Sequence, residues 1–230
     1  MALAHSDLAH QTTPETPTPR SRWVGARMSL AEFLALPEGE TSLEFDDGLV
    51  TQKMAPQADH SSLQSDLWDR MTQIGRAQRS GRAFTEKRFV TPGWSPVPDV
   101  SFYAKARLKP ASRRRFGKLD LPPDIAVEIV SPDQSLGEML RKCVRYADLG
   151  IPISLVVDPN DETVYDIRPG EPLRVLQGED PIDLAPVLPD FGVTVQGLFS
   201  SIVDDWLLED DEPAADVQAA GAEPPAAPEA

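Results

Sequence analysis

Apolar and polar residues alternate along this chain at periods that change from segment to segment. Leu63, Leu67, Met71 and Ile74 recur at helical spacing, which predicts a helix from Asp59 to about Arg79. DIAVEIV (124–130) and ISLVVDP (153–159) are nearly continuous apolar runs, the pattern of strands buried on both faces. Between them, SPDQSLGEMLRKCVRYADLG predicts a helix with a Ser135–Glu138 capping box and a C-cap at Gly150. Its apolar stripe reads Leu136, Leu140, Cys143, Val144 and Ala147.

Shorter elements fill in the rest. Ser29 caps a short helix, AEFLALP, that Pro37 ends, and SLEFDDGLV (42–50) reads as strand, Asp47-Gly48 turn and strand. FTEKRFV (84–90), VPDVSFY (97–103) and TVYDIR (163–168) are further strands, and GVTVQGLFSSIVDDWLL closes the domain with a strand and a helix. Strands, a long helix and strands again predict an α/β sandwich around a mixed sheet. Residues 1–27, rich in Thr and Pro, and residues 209–230, Ala, Pro and acid, read as disordered tails flanking a domain at 28–208.

Composition narrows the chemistry. The lone cysteine, Cys143, rules out an internal disulfide, and the only histidines are His5, His10 and His60, too few for a His-rich zinc site. No apolar run approaches a membrane span and the N-terminus lacks a secretory pattern, so the expected location is the cytoplasm. The net charge of −15 weighs against nucleic acid as a partner, but residues 204–230 hold nine acidic residues and no Lys or Arg. Local potential counts for more than the sum when a phosphate chain docks.

Two acids stand out. Glu128 lies among Ile125, Ala126, Val127, Ile129 and Val130, where an unpaired carboxylate costs several kcal/mol or more. Either an Arg or Lys or a metal ion must satisfy it. Asp99 follows Pro98 at the start of another strand, which is by itself an ordinary place for an Asp. Taken together, two strand-borne acids favour a shared cation.

The pattern V-P-D-V-S…P-P-D-I-A-V-E-I-V-S-P…K-C-V-R-Y-A-D-L-G-I…L-V-V-D-P, with S-L-A-E-F-L-A-L-P and L-E-F-D-D-G before it and V-L-P-D-F after it, resembles the bacterial Uma-type family of restriction endonucleases. That family belongs to the PD-(D/E)XK nuclease superfamily, and the likeness runs from about Met28 to about Phe199. It implies a restriction-endonuclease-like mixed central β-sheet flanked by helices. It also implies that Asp99 and Glu128 are the motif acids and metal ligands. The superfamily's Lys two residues after the Glu is here Val130, and the resemblance supplies Lys142 from the next helix instead, with Glu44 completing the metal set. His60, and Gln64 one turn on, are further candidates.

The implied activity is hydrolysis of DNA phosphodiester bonds with Mg2+ (or Mn2+), which takes hard oxygen ligands. The alternative is a nuclease fold that binds nucleic acid or protein without cutting. The stretch KARLKPASRRRFGK (105–118), with Lys105, Arg107, Lys109, Arg113, Arg114, Arg115 and Lys118 and no acid, is the expected phosphate-contacting loop beside the site. Its bland reading is a solvated surface loop. The acidic tail is expected to compete with DNA for that loop in cis. A homodimer is expected because cutting two strands favours two sites.

Overall fold

The computed structural model describes residues 21–37, 43–53, 58–108, 121–132 and 134–201. In chain order the elements are α1 (Leu30–Leu34), β1 (Leu43–Asp46), β2 (Leu49–Gln52), α2 (Ala58–Ala77), β3 (Gly81–Thr85), β4 (Trp94–Ser95) and β5 (Val100–Ala104). They continue with β6 (Ile125–Ile129), α3 (Leu136–Asp148), β7 (Ile153–Asp158), β8 (Thr163–Ile167), β9 (Arg174–Gln177), β10 (Pro181–Ile182), β11 (Val193–Thr194) and α4 (Val195–Ser200). The main sheet has the order β3-β5-β6-β7-β8-β9. Only β6 and β7 are parallel, and α3 is the crossover that joins them. The sheet is therefore mixed, as the sequence predicts.

Helices cover both faces. Leu63, Leu67 and Met71 of α2 pack against Val100, Phe102 and Val127. On the other face Met139, Cys143 and Tyr146 of α3 pack against Ala126, Val130 and Val156. The alternation along β6 divides Ile125, Val127 and Ile129 from Ala126, Glu128 and Val130, so Glu128 lies on the α3 face. A second small sheet, β2-β1-β4, carries its own apolar cluster around Phe33, Phe45 and Val50. Among the described residues no helix is long and apolar enough to cross a membrane.

Three expectations need correction. Residues 21–27, assigned by composition to the tail, run along β2: the Gly25 N–H donates to the Val50 carbonyl at 2.9 Å and the Val50 N–H to the Ala26 carbonyl at 3.0 Å. The strand expected at 84–90 is Gly81–Thr85, because Glu86 adopts φ +47° and breaks the ladder. Phe89 then turns into the α3-side core. The stripe on α3 is rotated: Met139 and Tyr146 are buried while Val144 is 49% exposed. That rotation carries the Lys142 flank toward the sheet. The remaining parts of both predicted tails, residues 1–20 and 209–230, lie outside the described residues.

Candidate active site

Antiparallel register brings the two acids together. Val100 pairs with Val127 and Ser101 with Ala126, so Asp99, one step before β5, stands opposite Glu128 near the end of β6. The Ile129 N–H donates to Asp99 Oδ2 at 2.8 Å and fixes that carboxylate against the neighbouring strand. Both acids are only 1% exposed.

Each acid has its own set of partners. Lys53 Nζ lies 2.7 Å and His60 Nε2 3.0 Å from Asp99 Oδ1, and the Gln64 side-chain amide donates to the Asp99 main-chain carbonyl at 3.0 Å. Lys53 and His60 thus converge on one buried oxygen, Asp99 Oδ1. On the other side, the Tyr146 hydroxyl donates to Glu128 Oε1 at 2.7 Å, and Lys142 Nζ is 3.1 Å from the same oxygen. Lys142 also donates to Glu44 Oε1 at 2.8 Å, an oxygen that accepts the Val97 N–H at 2.6 Å. Glu44 is thus hydrogen-bonded to Lys142, while the Arg88 guanidinium donates to the neighbouring Leu43 carbonyl.

The electrostatics differ between the two acids. Burial pushes the Asp99 carboxyl up, but the Lys53 ammonium and His60 outweigh it and hold the group below the usual carboxylate range. Burial also pushes Glu128 up, and here Lys142 does not offset it, because the charges on Asp99 and Glu44 add to the rise. Burial lowers the Lys142 amine, yet Glu128 and Glu44 together hold it above its ordinary value, so it is charged at neutral pH. Burial and the Glu128 charge raise the Tyr146 phenol, which keeps its proton and remains a donor.

The cluster opens to solvent on its Glu44–Lys142 side. There a cleft of about 470 Å3 is bordered by Glu44, Trp94, Glu138, Arg141, Lys142 and Arg145. Arg145 stacks over the Trp94 ring at 4.1 Å and pairs with Asp46 at 2.5 Å. A larger hollow of about 600 Å3 beside Arg79 and Lys105 has no carboxylate in its lining, and another of about 510 Å3 is bordered by Asp180, Asp183 and Asp190; the 470 Å3 cleft is the one bordered by Glu44 and Lys142, which connect to Glu128.

Of the basic stretch, Lys105 and Arg107 fall among the described residues. Asp99 precedes β5 and Glu128 lies near the end of β6, so the connection between those strands leaves from the opposite end of the ladder. Four strand steps, roughly 13 Å, separate Val100 from Ala104. Lys105 and Arg107 form a single 3₁₀ turn there, and Arg107 is tied to Asp124 at 2.9 Å. Lys109, Arg113, Arg114, Arg115 and Lys118 lie outside the described residues. The lysines in contact with the acids are Lys53 and Lys142, and Arg141 and Arg145 border the cleft beside them. Lys53 and Tyr146 are participants that the sequence reading did not single out; for Lys53 the one available signal was a lysine just after a short strand.

The donor set fits a hard divalent cation. Carboxylate oxygens are the chemistry Mg2+ prefers, and one or two of them with waters suffice. The Asp99 carboxylate is buried beside the cleft-side cluster, and Glu128 stands opposite it. Among the described residues no three His, Cys, Asp or Glu side chains are gathered closely enough to hold an ion as a group. The fit is therefore that of a pair.

A family model described as "Uma2: Putative restriction endonuclease" matches residues 30–196. The chain is also similar to a "putative nuclease belonging to DUF820" from Anabaena variabilis ATCC 29413, known from a crystal structure. Identity is 30% and the TM-score 0.69, over 76% of this chain and 99% of that one. No curated protein matches the chain. The family match spans most of the domain and contains the whole buried cluster from Glu44 to Lys142, and the chain belongs to the Uma2 family.

Proposed function

We propose that this protein is a divalent-metal-dependent endonuclease that hydrolyses phosphodiester bonds in DNA, with Mg2+ (or Mn2+) as its ion. The observation that carries this reading is the buried opposition of Asp99 and Glu128 across β5 and β6, with a charged lysine beside Glu128. Asp99 and Glu128 would hold the ion, with Glu44 on the cleft side. When bound, the ion acidifies water and polarises the phosphoryl group.

The chain's own residues support that chemistry in distinct ways. Lys53, His60 and the Ile129 N–H keep Asp99 ionised and in place. Tyr146 fixes the rotamer of Glu128. The Lys142 ammonium offsets the charge that builds on the phosphoryl oxygens in the transition state. Arg141 and Arg145 line the approach and attract the phosphate backbone.

Nicking of supercoiled plasmid in the presence of Mg2+ or Mn2+ tests the reading. Wild-type protein is expected to nick, and Asp99→Ala and Glu128→Ala to lose both nicking and Mn2+ binding. No nicking by the wild type, or full nicking by either variant, overturns it.

One observation favours a second reading, a nuclease fold that binds nucleic acid or protein without cutting. Ammonium groups already face the carboxylates, Lys53 at Asp99 and Lys142 at Glu44 and Glu128. DNA retention without nicking and without Mn2+ binding would select it.

A further inference from the structure

We propose that Lys142 is a resident counter-ion of the candidate site, and that it swings out into the cleft when a divalent cation binds. The inference rests on the metal-dependent reading above.

The geometry comes first. One ammonium serves two carboxylates from different sheets, at 2.8 Å from Glu44 Oε1 and 3.1 Å from Glu128 Oε1. A cation drawn to Glu128 meets a carboxylate that Lys142 already contacts through Oε1. Two cations on one buried carboxylate repel each other strongly.

The charge count points the same way. The carboxylates of Glu44, Asp99 and Glu128 face the ammoniums of Lys53 and Lys142, three acidic side chains against two lysines. A divalent ion added with both lysines in place leaves a positive excess. With Lys142 withdrawn, the ion and Lys53 balance the three acids. An uncompensated buried charge is costly, so the balanced arrangement is favoured.

The two lysines are not equally free to leave. Lys53 also donates to the Val97 carbonyl at 3.0 Å, which anchors it. Lys142 borders the cleft and is 13% exposed, on a flexible four-carbon stem. Its withdrawal moves a positive charge toward the place where Arg141 and Arg145 would meet a phosphate. One amine thus balances the acids before the ion arrives and faces the substrate afterwards.

Amine labelling of the full-length wild-type chain, read by mass spectrometry with and without Mn2+, tests this alongside calorimetric Mn2+ titration of wild type and Lys142→Gln. Labelling at Lys142 is expected to rise several-fold with Mn2+ while Lys53 stays constant, and Lys142→Gln to bind Mn2+ about tenfold more tightly. If calorimetry shows Mn2+ binding that Glu128→Gln weakens, but Lys142 labelling does not rise, the displacement is wrong and the metal reading stands. If wild type binds no Mn2+, both fall. The labelling arm needs no variant to fold.

Discussion

Tyr146 and Lys142, one helical turn apart on α3, meet the same oxygen of Glu128, at 2.7 Å and 3.1 Å. The tyrosine is fully buried, its ring 5.1 Å from Trp94 and 5.6 Å from Phe89, centroid to centroid. Tyr146→Phe keeps that packing and removes only the donor. The expected cost is about 1–3 kcal/mol in urea unfolding, that of losing a buried hydrogen bond to a charged group. The hydroxyl favours the ionised carboxylate, so its loss raises the Glu128 pKa further. The acid limb of the cleavage–pH profile is then expected to move to higher pH; an unmoved limb would show that Glu128 does not need that bond.

Neutralising the two acids is expected to change stability in opposite directions. Asp99 is held below its ordinary value, so its charge contributes stability above the unfolded pKa, and that contribution is lost as pH falls through the folded one. Asp99→Asn at neutral pH removes it and leaves Lys53 buried without its partner, a cost of about 3–5 kcal/mol. Glu128 is held above its ordinary value, so its charge costs stability at neutral pH, and the cost disappears as pH falls below the unfolded value. Glu128→Gln is expected to stabilise the fold at neutral pH and to lose that advantage at acidic pH. Denaturant titrations across a pH series decide it, and a Gln variant less stable than wild type at neutral pH contradicts the account.

DNA affinity is expected to depend on the cleft arginines more than on the 3₁₀ turn. Replacing Arg141 and Arg145 together with Ala should weaken binding and flatten the dependence of log K on log salt by about two. Arg107→Ala should leave that slope unchanged and lower stability, because Asp124, only 4% exposed, loses its partner. Fluorescence anisotropy over a salt series measures both. A slope that responds to Arg107 and not to the cleft pair would return substrate binding to the basic stretch.

The two acids were legible because a carboxylate inside an apolar strand is physically conspicuous. Lys142 was legible only through the family resemblance, since its flank of α3 was misjudged when Val144 was counted inward and Tyr146 was not. Lys53 left almost no trace: it stands just after a short strand, and its partner Asp99 is brought to it by the fold rather than by sequence proximity. Residues 21–27 look like tail because their pairing depends entirely on the edge of β2. Lys105 and Arg107 sit at the far end of the ladder from the acids, and chain order held that much: an acid before one strand and an acid near the end of its antiparallel neighbour make the connection leave from the other end.

The crossover helix has a consequence of its own. Val130, where the superfamily's strand-borne amine would sit, is 3% exposed and belongs to the apolar core beneath α3. Amine and acids therefore ride on separate pieces of the molecule, and they meet only while the helix stays docked. Local detachment of α3 would dismantle the chemistry with the sheet still standing, which makes the seating of one amphipathic helix, rather than global melting, the weak point of the assembled site.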